Sequence, residues 1–182
     1  MDTLEQQRVL TAAALVCAGI GSVHDVRERR IPNRLTGPAI LAGLALHSIA
    51  GGWLGLADSA LGGLIAGGIF LIFFLAGGMG AGDVKLMTAV GCITGLSPLR
   101  LVVIATAIAG GVFAFAVSVA HGRLRETLRG VAALLLHHGR RGVKPHPDLN
   151  LANASTLRLP FALPIAAGCL FALCALVWEA HP

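Results

Sequence analysis

Apolar residues fall in six blocks along the chain, and most polar residues collect between them. The blocks cover roughly residues 9–23, 38–56, 59–76, 84–97, 101–120 and 159–178. Four reach the ~17–25 residues that a bilayer-spanning helix needs, or fall within a residue or two of it; the first and fourth are shorter. Glycine is frequent inside the blocks, as spanning helices tolerate. Gly63 and Gly67 stand four apart in the third block, the spacing of a close-packing helix face. The pattern predicts an all-α polytopic membrane protein of six transmembrane helices, with residues 1–182 forming one domain.

Between the fifth and sixth blocks lies a long polar loop, 121–158. Within it Leu124, Leu128, Val131 and Leu135 repeat at helical spacing, with Arg123, Arg125, Glu126 and Arg129 on other faces. This predicts an amphipathic helix lying on the membrane surface. Pro145 and Pro147 mark the stretch beyond it as loop.

Composition narrows the class. The chain is 55% hydrophobic and only 13% charged, about half the charge of a soluble domain. Cys17, Cys92, Cys169 and Cys174 all fall in apolar blocks and form no CxxC pair, so they read as buried small hydrophobes. The N-terminus is acidic before Arg8, without the basic start of a signal peptide, so the first block is expected to be retained.

Charge placement predicts orientation. Of the 14 Lys and Arg, six alternating spans put all but Arg8 and Arg100 on one face. By the positive-inside rule that face is cytoplasmic and both termini lie outside. Seven of the basic residues sit in the 121–158 loop, so omitting the short fourth block would put that loop outside. Arg8 to Asp25 is 17 residues, and so is Asp83 to Arg100. As helices, each interval rises roughly 25 Å, less than the ~30 Å hydrocarbon core. With both arginines at the outer interface, both aspartates stop at the same level near the cytoplasmic surface.

Two carboxylates that close suit peptide hydrolysis. Like charges cannot both ionise cheaply, so one keeps its proton. The ionised partner acts as general base on water; the protonated one supports the tetrahedral oxygen and then the leaving amine. Acid and base roles belong to the pair, not to either residue. Asp83 lies in Gly78-Met79-Gly80-Ala81-Gly82-Asp83-Val84-Lys85, where Gly80 and Gly82 free the backbone and admit another chain. Spacing alone leaves two plainer readings open: Asp25 as a loop carboxylate paired with Arg27 or Arg29, and Asp83 as a helix N-cap.

Lys85 reads as a substrate contact or an interfacial anchor. Arg27, Arg29, Arg30 and Arg34 read as topology determinants. Pro32 and Asn33 suit a turn into the second span. His24 reads as an interfacial histidine beside Asp25. His137, His138 and His146 lack metal-ligand spacing, so no metal site is predicted. The basic loop lacks aromatic interleaving, so no nucleic-acid partner is predicted.

Gly80-Ala81-Gly82-Asp83 matches the GxGD signature of intramembrane aspartyl proteases. With Asp25 followed by Arg30-Ile31-Pro32-Asn33, and with Leu159-Pro160-Phe161-Ala162-Leu163-Pro164-Ile165-Ala166-Ala167-Gly168 near the end, the chain resembles the type IV prepilin peptidase family throughout. The resemblance implies cleavage of prepilin leaders at the cytoplasmic face of the bacterial inner membrane, with Asp25 and Asp83 catalytic and no cofactor. It implies that Gly80, Gly82, Lys85, Pro32, Asn33 and Pro160 shape the site or hold substrate. The partners implied are a prepilin and membrane lipid. Larger members carry an extra domain with paired cysteines and also N-methylate the product. This chain has the length of the compact members serving Flp pili, and the resemblance leaves methylation open.

Two other function classes fit the composition. One is a small proton- or cation-coupled carrier relaying through the two aspartates. The other is a non-catalytic pilus or secretion assembly subunit held by the Gly63/Gly67 face.

Overall fold

The computed structural model describes residues 3–76, 78–122 and 160–179. Among them every regular element is a helix: α1 (Thr3–Glu28), α2 (Asn33–Leu75), α3 (Ala81–Thr94), α4 (Leu96–Ala120) and α5 (Ala162–Trp178). Helices α1, α2 and α4 are long and apolar enough to cross a membrane, and α5 is a shorter apolar helix. The amphipathic helix expected at 124–135 lies outside the described residues.

α2 is 43 residues long but is not one rod. At Gly52 the backbone takes φ 58° and ψ −138°, which only glycine adopts readily. The chain folds back there. His47 Nδ1 lies 3.7 Å from Asp58 Oδ2, whereas eleven residues of straight helix would separate them by ~16 Å. The two arms correspond to the second and third apolar blocks, 38–56 and 59–76, with the turn a few residues earlier than the polarity pattern places it.

α3 is the centre of the bundle. Leu86, Met87, Ala89 and Val90 are fully buried. Both arms of α2 reach its backbone through glycine. A Cβ on Gly43 would meet the Cys92 carbonyl at 2.7 Å, and one on Gly62 would meet the Gly91 carbonyl at 2.5 Å. Gly63 and Gly67 do form a close-packing face, and its partner is internal: Cys92 Sγ and Thr88 Oγ1 of α3. Polar groups inside the bundle are satisfied at these seams, as burial demands. Ser59 Oγ donates to the Cys92 carbonyl at 2.7 Å, and His47 Nε2 lies 3.0 Å from the Ile93 carbonyl.

The contacts fix the directions. Ile31 meets Gly82 and Gly43 meets Cys92, so the first arm of α2 runs parallel to α3; Gly62 meets Gly91 and Gly67 meets Thr88, so the second runs antiparallel. Gly21 faces Leu86, so α1 opposes α3. Arg8 Nε donates to the Leu176 carbonyl at 3.1 Å, and Gly168 packs on Val102 and Thr106, so α5 opposes both α1 and α4. Successive rods therefore alternate. Asp25, Asn33, Asp83 and Ala162 gather at one end; Arg8, His47, Asp58, Gly95 and Leu176 gather at the other. Large apolar side chains such as Val16, Leu64, Ile108 and Phe171 face outward, as a bilayer solvent permits.

Three expectations change. The first helix is 26 residues, longer than its apolar block, and holds the whole Arg8–Asp25 interval, so the loop alternative for Asp25 falls. The interval from Asp83 to Arg100 is not one helix: Gly95, at φ 69°, ends α3, and Leu96 begins α4, so Ser97 and Arg100 belong to the fifth rod. A side chain at Gly95 would also run into the Asp58 carboxylate, whose Oδ1 accepts the Leu96 N–H at 3.4 Å. Finally, Cys174 is exposed, unlike the buried Cys17, Cys92 and Cys169.

Candidate active site

Asp25 lies in the last turn of α1 and Asp83 in the first turn of α3. Antiparallel packing of these helices brings both carboxylates to one cavity of about 240 Å³. Arg29, Arg30, Ile31, Gly80, Gly82 and Lys85 share its lining. The Asp25 charge acts directly on Asp83. Of the two equal 17-residue intervals, Arg8–Asp25 is one unbroken helix and Asp83–Arg100 is not; α1–α3 packing is what pairs the two ends.

Asp83 is 8% exposed. It is not the N-cap of α3; that position is Gly80. Asp83 is the third helical residue, and its Oδ2 reaches back to accept the Gly80 N–H at 3.1 Å, while its own N–H donates to the Gly80 carbonyl at 3.1 Å. The side-chain bond is one half of a capping box; glycine has no side chain to make the other, and its carbonyl takes the Asp83 N–H as a turn instead. The side-chain bond fixes the carboxylate at the helix N-terminus, where the macrodipole favours negative charge. Capping and cavity-lining are thus one placement.

Asp25 is held from two sides. Its carboxylate accepts the Ala162 backbone N–H and faces the Arg29 guanidinium. Its Oδ2 is buried with no hydrogen-bond partner among the described residues. A buried acceptor left open costs free energy, and a water in the cavity would satisfy it. His24 Nδ1 lies 3.8 Å from Glu28, its i+4 neighbour, so it engages that carboxylate.

The glycines act by leaving space. Gly80 has φ −83°, ordinary extended backbone. A Cβ there would press on Asp83 Oδ2 at 3.2 Å, and one on Gly82 would press on Ile31 at 3.3 Å. The unusual backbone at this end is instead Arg29, with φ 54°. Such a conformation in a non-glycine residue costs about 1–2 kcal/mol. It turns the chain out of α1 so that 30–32 crosses back over Gly82.

The remaining expected residues hold this end together. Pro32 is the N-cap of α2, and its carbonyl accepts the Leu35 N–H at 3.0 Å. Asn33 follows, and Lys85 Nζ donates to Asn33 Oδ1 at 2.9 Å, tying α2 to α3 beside the cavity. Pro160 is not in the cavity wall. Its carbonyl accepts the Leu163 N–H at 3.4 Å, opening the turn that presents Ala162 to Asp25. The roles of Ile31 and of the Ala162 N–H are not legible in the sequence, and Arg29 enters there only as one possible partner of Asp25. Four arginines crowd this stretch and share one topological explanation, and a backbone donor carries no residue signature. Proximity of Pro160 to the start of α5 was the one available hint.

No curated protein and no solved structure matches the chain. The family model for the type IV leader peptidase family matches residues 12–115, a stretch holding both aspartates and the Gly80–Asp83 turn. Covering more than half of the chain, and running through the helices that build this cavity, that match establishes that the protein belongs to the type IV leader peptidase family, whose activity class is that of a peptidase.

Proposed function

We propose that the protein is a membrane aspartyl endopeptidase that removes the leader of Flp-like type IV prepilins at the cytoplasmic face of the bacterial inner membrane. Asp25 and Asp83 are its catalytic pair. The observation that carries this reading is the convergence of two carboxylates, 58 residues apart in sequence, on one small cavity. Six rods alternating in direction support six membrane spans within one domain. The grouping of Arg29, Arg30 and Lys85 at the aspartate end supports a cytoplasmic site and outward termini.

The chemistry needs one water and one shared proton. The ionised carboxylate takes a proton from water as its oxygen attacks the scissile carbonyl. The protonated carboxyl keeps its proton and donates a hydrogen bond to the developing oxyanion. The amine leaves with a proton from the pair, which returns to its singly protonated state.

The internal use of the Gly63/Gly67 face removes the feature that favoured an assembly subunit. The test is processing of a prepilin-type precursor in membranes by the wild-type protein and by Asp25→Asn and Asp83→Asn. Loss of leader removal in both variants is expected. Wild-type processing by either variant overturns the proposal, and proton flux in liposomes that depends on either aspartate, without peptide cleavage, replaces it with the carrier reading.

A further inference from the structure

The second arm of α2 and α4 run side by side but touch little, and an apolar gap lies between them. Near the Arg100 end it opens as a cavity of about 650 Å³ walled by Ile65, Leu99 and Ile104. Toward the aspartate end it continues as a cavity of about 260 Å³ walled by Phe73, Met79 and Gly111. The two share Ile69 and Val103, so they form one groove. Its wall on α2 extends from Asp58 to Phe73, about 22 Å of helix. α4 is the least buried of the three long helices.

We infer that this groove receives an apolar helix of the peptide substrate. The inference rests on the peptidase reading. Three observations favour a peptide helix over a lipid chain. The groove runs most of the depth of a bilayer leaflet pair, matching a spanning segment rather than one acyl chain. It terminates at Gly78 and Met79, immediately before the Gly80–Asp83 turn, and at Phe161, next to Ala162, whose N–H holds Asp25. A helix lying in it therefore ends beside the turn that carries Asp83. On α4 the lower wall includes Ala107 and Gly111, small residues that allow a second helix backbone to come close. No described side chain fills the space over Gly111: a Cβ there meets nothing within 4 Å.

The experiment places a photoreactive side chain at Ala107, inside the groove, and separately at Ile108, which is 63% exposed outside it. The full-length protein in membranes is given a prepilin-type precursor. Crosslinks from position 107 to the precursor's apolar helix, with few from 108, are expected. Gly111→Leu should raise the KM for that precursor roughly tenfold by filling the groove, with the Ile108→Trp variant unchanged. If the wild type processes the precursor but position 107 labels only lipid or the protein's own chain, the groove assignment falls and the peptidase reading stands. Equal labelling from 107 and 108 also overturns it. If the wild type does not process the precursor, the peptidase reading fails first.

Discussion

Asp83 both caps α3 and lines the cavity, and substitution separates the two roles. In Asp83→Ala the Gly80 N–H loses its 3.1 Å acceptor, and a cap of this kind contributes about 1 kcal/mol. For a chain of this size that is about 2–4 °C in Tm. Asp83→Asn keeps an oxygen in the same position and should stay within about 0.5 kcal/mol of wild type. The catalytic loss is larger and common to both. Removing a general acid or base costs ~10²–10⁴ in rate, and ~10³ corresponds to about 4 kcal/mol of barrier. The assay is initial rate of leader removal in vesicles, paired with thermal unfolding of the same variants in detergent. Both variants should be inactive, and only the alanine variant measurably less stable. If Asp83→Asn keeps more than about a tenth of wild-type activity while Asp83→Ala loses activity in step with its stability, the residue is a cap and the two-carboxylate chemistry is refuted.

The other expectations concern packing and local geometry. Asp25→Asn should abolish processing and leave Tm unchanged or higher, since it removes a charge whose Oδ2 is buried without a partner; a clear fall in Tm contradicts that account. Gly91→Ala should cost about 1–3 kcal/mol by thermal unfolding, because its Cβ would lie 2.5 Å from the Gly62 carbonyl at the α2–α3 seam. Gly52→Ala should cost about 1–3 kcal/mol from backbone strain alone, with open space around it, and Gly95→Ala should cost more because its Cβ also meets Asp58; the reverse order would deny the Asp58 contact. Lys85→Met and Asn33→Ala should each change stability by under about 1 kcal/mol, with the double variant no worse than either single, because they delete one exposed hydrogen bond.

How far could the chain be read without its fold? The cost of moving side chains into hydrocarbon is written residue by residue, so the six apolar blocks, the sidedness of the basic residues and the exceptional position of two acids were open to inspection. Short motifs such as Gly80–Asp83 and Ile31–Asn33 were equally legible, because local turn chemistry depends on neighbours in sequence. The role of the glycines was not. Gly80 and Gly82 looked like licences for unusual backbone, yet they leave room for Asp83 and Ile31. The unusual conformation fell on Arg29, which no sequence rule marks.

Tertiary packing decided the rest. Asp25 meets the Ala162 N–H across 137 positions of chain, and α1 carries its aspartate to Asp83 only because both helices pack antiparallel in the bundle. The break at Gly95 came from a steric fit to Asp58, and the groove beside α4 from two helices that run together without interlocking. Hydropathy records what each residue prefers as surroundings; it carries no term for which distant backbone supplies them, and that pairing is what assembles the cavity.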